Sequence, residues 1–182
     1  MTKTGFIHRG RQIIINGQAA SRFKYNPTIN TPSMLVSAQS QFIESITREY
    51  QGHLQQFYQV MAQKGGQKGD LAWCVTTSAY ANTVVITKGQ DWTPIQLKST
   101  YDFMKAEILK VPDIQAASDE SKQVACETMA IRAASNYQAF LKADSRAVAV
   151  TSAQKELGDI FRALGEDPNH YQWTATGIRK IK

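Results

Sequence analysis

No stretch of this chain approaches the ~20 consecutive apolar residues of a membrane span. The opening MTKTGFIHRGRQIII also lacks the apolar core of a secretory leader. The expected compartment is therefore the cytoplasm, or an exported or periplasmic site if a leader has been removed. Cysteine is scarce, with 2 residues, Cys74 and Cys126, so a disulfide-dense small scaffold is excluded. Both fall within expected helices and read as buried thiols, which behave as small hydrophobes. Export would make a bridge between their helices the competing expectation. Histidine is equally sparse, and His8, His53 and His170 lie far apart, with no second ligand at the short spacings of a zinc site. No metal and no cofactor is expected. Neither internal repeats nor low-complexity tracts occur.

Acidic residues are missing from both ends. All 15 lie between Glu44 and Asp167, whereas Lys3, Arg9, Arg11, Arg22 and Lys24 precede them and Arg179, Lys180 and Lys182 follow. The middle holds 13 basic residues, so it carries 13 − 15 = −2 and the ends 5 + 3 = +8, making the net +6. The chain reads as a slightly acidic body with basic ends.

What is present is helical periodicity in a chain of 182 residues, long enough for its own core. The strongest helix is expected at Ser118–Lys142. Ser118 is a good N-cap, Asp119 and Glu120 suit the positive end of the macrodipole, and neither Gly nor Pro interrupts it. Its inward face is expected at Val124, Ala125, Thr128, Met129, Arg132, Ser135, Ala139 and Phe140, and the other helices are expected to pack around it. A first helix is expected over Ser33–Gln63, with a stripe from Phe42 to Met61 and a bend at Gly52. Others are expected at Leu71–Thr87, capped by Asp70, with a strand as the alternative at Val84–Thr87, and at Ile95–Lys110, capped by Thr93 ahead of Pro94. A fifth begins after Asp144 or Ser145 and ends at Leu164, with Val148, Thr151, Leu157, Ile160 and Phe161 facing inward.

Arg11–Ile15 and Arg22–Tyr25 flank Asn16-Gly17, a strong hairpin turn signal, and the last residues, HYQWTATGIRKIK, alternate like one short strand. The expected architecture is mainly α: a five-helix bundle over 33–182, preceded by a basic extended arm or hairpin over 1–32 and closed by a short strand.

The segments EILKVPDIQAASDESKQVACETMAIRAA and IFRALGEDPNHYQWTATGI carry a pattern at Pro112, Ser118, Asp119, Lys122, Gln123, Leu164, Gly165, Asp167, Gly177 and Ile178. The SAYAN run at Ser78–Asn82 fits it loosely. Over about residues 33–178 the chain resembles a family of small helical bacterial proteins of unknown function, many of them exported. Cys126 stands where that family usually has Ala or Leu. The resemblance implies an exported or envelope-associated protein with no assigned activity.

Chemical motifs are weak. Ser152-Ala-Gln-Lys155 matches the acylating S-x-x-K pattern, but its companion motifs SDN and KTG are absent. Gly65–Gly69 lacks the frame of a phosphate loop and reads as a linker. Asp102, Glu107, Glu120 and Glu127 would need helices three and four side by side before they could work as pairs. No catalytic residue is expected.

The strongest functional signal is the mixture of cations and aromatics at the ends. Phe6, Arg9, Arg11, Arg22, Phe23, Lys24 and Tyr25, with Arg179 and Lys180, form the candidate partner-binding set. Such a set suits strand addition to a partner's sheet, stacking and phosphate contact on single-stranded nucleic acid, or pairing of the two ends as a small sheet on the bundle. The leading expectation is a non-enzymatic structural or interaction subunit of a bacterial envelope or secretion-type assembly, attached by its N-terminal arm. Nucleic-acid binding through the same ends is the alternative.

Overall fold

The computed structural model describes residues 21–36 and 42–181. Among the described residues seven α-helices follow one another: α1 (Thr31–Leu35), α2 (Ile43–Gln63), α3 (Leu71–Ile86), α4 (Pro94–Ile108), α5 (Pro112–Ala116), α6 (Asp119–Leu141) and α7 (Arg146–Ala163). They end in a hairpin of β1 (Tyr171–Thr174) and β2 (Gly177–Lys180). Among the described residues no helix is long and apolar enough to cross a membrane.

The starts of the helices follow from their caps. Asp70 Oδ1 accepts the backbone N–H groups of Ala72 and Trp73. Thr93 and Gln96 form a reciprocal capping box ahead of Pro94, and Ser118 accepts the N–H of Ser121. α7 differs from expectation, because Ser145 supplies no side-chain cap. Its hydroxyl donates instead to the Ala139 carbonyl, at 3.1 Å, tying the tight α6–α7 connection to the end of α6.

The helix expected over Ser33–Gln63 is two helices. Asn30 caps α1, and Val36 is extended, so α1 stops after five residues. Pro112 does more than end α4: with its fixed φ it opens the single turn of α5. Val84–Thr87 belongs to the end of α3 and is not a strand.

The helix most enclosed is α3 rather than α6. Twelve of its 16 residues are buried, so it is apolar or small on every side and shows no single stripe. It packs against α6, α7, α4 and α2. Two links join α3 to α6: the disulfide Cys74–Cys126, with Cα atoms 5.6 Å apart, and a hydrogen bond from Asn136 Nδ2 to Asn82 Oδ1 at 2.9 Å. Both partners advance together along the sequence, so α3 and α6 run the same way. Contacts Tyr58–Glu127 and His53–Ser135 advance oppositely, so α2 is antiparallel to α6. The bridge corrects the expectation of two buried thiols. Residues as small as Cys74, Ala79, Cys126 and Ala130 line the seam and let the backbones approach closely.

α6 presents a different face from the expected one. Gln123, Cys126, Glu127, Ala130, Ala133 and Ala134 are buried, while Ala125 and Arg132 are exposed. Polar Gln123 and Glu127 can lie inside because each finds a hydrogen-bonding partner there. A similar rotation affects α7. Val148 is 71% exposed and Thr151 is exposed, because Ala149 and Ala153 make the close contact with Val85.

The chain end is two strands, not one, with Tyr171 opposite Lys180 and Thr174 opposite Gly177. The turn forms at Ala175-Thr176, where the Thr174 hydroxyl accepts the Thr176 N–H and donates to the Gly177 carbonyl. Gly177 has φ +117°, and a Cβ there would collide with the Ser99 side chain. A two-stranded hairpin is marginal by itself, but this one lies on the bundle. Trp173 stacks on Trp92 with ring centres 5.8 Å apart, and Tyr171 meets Phe103 and Phe161 at 5.1 Å.

Candidate functional site

The described candidate partner-binding residues do not converge on one surface. Phe6, Arg9 and Arg11, together with the Arg11–Ile15 run and Asn16-Gly17, lie outside the described residues. Arg22–Tyr25 is described and is not a hairpin strand. Its one bridge is to Asp70, because the start of α3 supplies main-chain groups for it to pair with. Leu71 N donates to the Ser21 carbonyl at 2.8 Å, and Phe23 N donates to the Gly69 carbonyl at 2.9 Å. The Gly65–Gly69 loop thus docks the N-terminal segment. Gly69 has φ +81°, and a Cβ on it would sit 2.6 Å from the Phe23 carbonyl oxygen, a contact only glycine avoids.

Side chains reinforce this clamp. Asp70 is buried, and its Oδ2 takes Arg22 Nε at 3.3 Å and the Tyr101 hydroxyl at 3.1 Å. Hydrogen bonds and an ion pair of this kind offset the cost of burying a carboxylate. Burial, and then the Asp70 charge, push the Tyr101 phenol up to about 12. Phe23 lies in the core. Tyr25 is half-buried, edge-on to Tyr58 with ring centres 6.1 Å apart, and Lys68 covers both rings at 5.0 and 4.4 Å. Gln123 then holds the Asn26 peptide at both ends, accepting its N–H at 2.8 Å and donating to its carbonyl at 2.9 Å. Of the four described N-terminal candidates, Arg22, Phe23 and Tyr25 serve the fold, while Lys24 is exposed.

At the other end Arg179 is exposed. Lys180 pairs with Glu166 at 3.3 Å and lies over the Tyr171 ring, whose hydroxyl donates to the same carboxylate at 2.6 Å. The Tyr171 hydrogen bond, aided by Lys180, holds Glu166 below the usual carboxylate range. Arg22 pairs with α3 and β2 pairs with β1, so the described parts of the two ends do not form a common sheet.

Most groups with chemical potential face neighbouring side chains. His53 Nδ1 lies 3.0 Å from Ser135 Oγ, and its Nε2 lies 3.9 Å from Glu49. Burial lowers the imidazole pKa, against the opposing pull of Glu49. The trio has the composition of a nucleophile, base and orienting acid, yet 3.9 Å is too long for the orienting hydrogen bond. Ser135 lies within α6, where backbone N–H groups are committed to the helix and cannot form an oxyanion hole. Ser152 and Lys155 are both exposed on α7. Asp102 pairs with Lys98 and Glu107 with Lys110. His170 faces Asp167 at 3.6 Å. Among the described residues no three His, Cys, Asp or Glu side chains gather as a metal site would require.

A buried polar cluster went unnoticed in the sequence. Tyr58 donates to Glu127 Oε1 at 3.2 Å, and Gln123 Nε2 donates to the same oxygen at 3.0 Å. Burial first, then the Glu127 charge, hold the Tyr58 phenol well above its ordinary range. The cluster joins α2 to α6 behind the clamp, with Tyr58 7% and Glu127 1% exposed. Its sequence signal was weak, because a glutamate on a helix ordinarily faces solvent.

Residues 15–170 match the family of unknown function DUF6683, and the chain belongs to that family. No curated protein and no solved structure shows a significant match.

Proposed function

We propose that this member of the family is a non-enzymatic interaction subunit of a bacterial envelope or secretion-type assembly, held to a protein partner by the residues that precede Ser21. The observation that carries the reading is the buried Cys74–Cys126 bridge between α3 and α6. Structural disulfides persist in oxidising compartments and are rare in the cytosol, so the bridge supports an exported protein. His53, Asp102, Glu107 and His170, moreover, each face a neighbouring side chain, as in a scaffold.

The clamp at Ser21–Asn26 sharpens how attachment works. Ser21 is buried against the start of α3, so the chain before it leaves from a fixed point on the bundle. Phe6, Arg9 and Arg11 supply apolar and cationic contacts to the partner, and Lys24 flanks them.

Two truncations test the reading. Removal of residues 1–20 leaves the helical signal and melting temperature unchanged and abolishes co-purification of the native partner. Removal of residues 1–26 also lowers the melting temperature, because it takes Phe23 from the core and uncovers Asp70. Loss of the fold on removing residues 1–20, or retention of the partner by that truncation, overturns it. Tight binding of single- or double-stranded DNA that collapses between 50 and 200 mM salt would replace it with the nucleic-acid reading.

A further inference from the structure

A second site lies away from the clamp. Val75, Ile108, Ile114, Met129, Ile160 and Leu164, from α3 to the end of α7, line a cleft of about 320 Å³ whose walls are almost wholly apolar. Its roof is α5, one helical turn with no buried residue of its own. The Gln115 side chain, donating to the Leu109 carbonyl, holds that turn in place.

One side chain in this wall is out of character. Lys122 is only 7% exposed. Its ammonium makes, among the described residues, one long hydrogen bond, 3.5 Å, to the Gln115 carbonyl. Among the described residues no carboxylate oxygen comes within 4.0 Å of it. Asp113 also borders the cleft, on its solvent side and beyond that reach. Lys122 also stands one turn into α6, at the helix end that disfavours cations. A buried cation without a counter-ion is costly. The Lys122 side chain lines the apolar cleft.

We propose that this cleft binds a free medium-chain carboxylic acid, with the carboxylate on Lys122 and the alkyl tail among Val75, Ile108, Met129 and Ile160. The ligand's charge supplies the missing counter-ion, and its tail fills walls that offer nothing else to a polar molecule. The space is roughly twice the ~150 Å³ cavity that holds a benzene ring, which sets the tail near ten carbons. The site is independent of the N-terminal attachment, so failure of either leaves the other standing.

Titration calorimetry of the full chain with sodium decanoate, sodium octanoate and decan-1-ol tests this. Decanoate binds at one site. Octanoate, two methylenes shorter, binds about 16-fold more weakly, at about fourfold per methylene. Decanol binds at least about tenfold more weakly than decanoate, lacking the charge-assisted contact. Lys122→Met brings decanoate down to the level of decanol and leaves decanol unchanged, whereas Lys122→Arg keeps the preference. Ala125→Trp, at an exposed position on the rim, blocks both ligands while the helical signal is retained. The proposal is overturned if no probe binds, if decanoate and decanol bind alike, or if Lys122→Met holds decanoate as tightly as the native chain. Capture of phosphatidylglycerol vesicles without binding of free decanoate would make the surface a membrane contact instead.

Discussion

The two ends of the described chain are fastened to the bundle by different balances of polar contact and ring packing. Ser21–Asn26 adds to the packing of Phe23 and Tyr25 a set of polar contacts: main-chain pairing to Gly69 and Leu71, Arg22 on the buried Asp70, and Gln123 on the Asn26 peptide. Tyr171–Lys180 docks through rings, with Trp173 on Trp92 and Tyr171 on Phe103 and Phe161. Polar docking demands that every partner be present, because a buried group left unpaired is penalised heavily. Aromatic docking is graded and tolerates small shifts. The N-terminal clamp also spans α3 and α6, the pair joined by the disulfide, while the hairpin rests on α4 and α7.

That difference can be broken at its largest lever first. Reducing Cys74–Cys126, or replacing both by Ala, opens a loop of 52 residues in sequence and costs roughly 4 kcal/mol by loop-closure entropy. Hydrogen exchange then rises first at Phe23 and Leu71, the amides of the clamp, and later in the hairpin; uniform acceleration would erase the contrast. Next, Asp70→Ala removes a helix cap and the partner of Tyr101 and Arg22 together, at about 3 kcal/mol. Trp173→Ala costs about 2 kcal/mol, below the usual range for a Trp because the ring is only half-buried. Denaturant melts of the two variants check the order, and a larger loss for Trp173→Ala would reverse it.

Acid and base separate the two ends as well. The folded Tyr101 phenol titrates above its ordinary value of 10.0, at about 12. Its contribution is complete below pH 10 and is lost as pH rises through 12. The folded Glu166 carboxyl lies below its ordinary 4.5, so its contribution holds above that value and fades as pH falls through the lower folded one. Ultraviolet titration of the native chain and of Asp70→Asn shows one tyrosine shifted down in the variant; an unmoved curve would detach Tyr101 from the clamp. The smallest effect belongs to Arg22→Ala. Its side chain is 48% exposed, so solvent screening leaves about 0.5 kcal/mol, detectable only in a double-mutant cycle with Asp70→Asn.

Much of this architecture was legible in advance where a local rule decides. Asp70, Thr93 and Ser118 stand as caps in the sequence and cap in the structure, since capping needs only neighbours along the chain. Other expectations failed where a distant partner decides. Val148 faces out because Ala149 and Ala153 admit α3 closely, and periodicity cannot weigh a small residue against a large one. The cation-rich ends looked like one binding set, yet Arg22 and Lys180 answer to separate carboxylates on separate elements. Lys122 and Gln123 stood side by side in the family-like pattern; one closes the clamp and the other borders the apolar cleft.

From its sequence alone this protein is a mostly helical chain with caps at set positions, turns at glycine and proline, and no membrane-length run. These follow from interactions a few residues long. Tertiary structure alone decided that α3 is the enclosed helix, that Cys74 meets Cys126, and that Asp70, Glu127 and Lys122 lie inside. Such choices rest on desolvation balanced against partners dozens of residues away, and no local pattern records that balance.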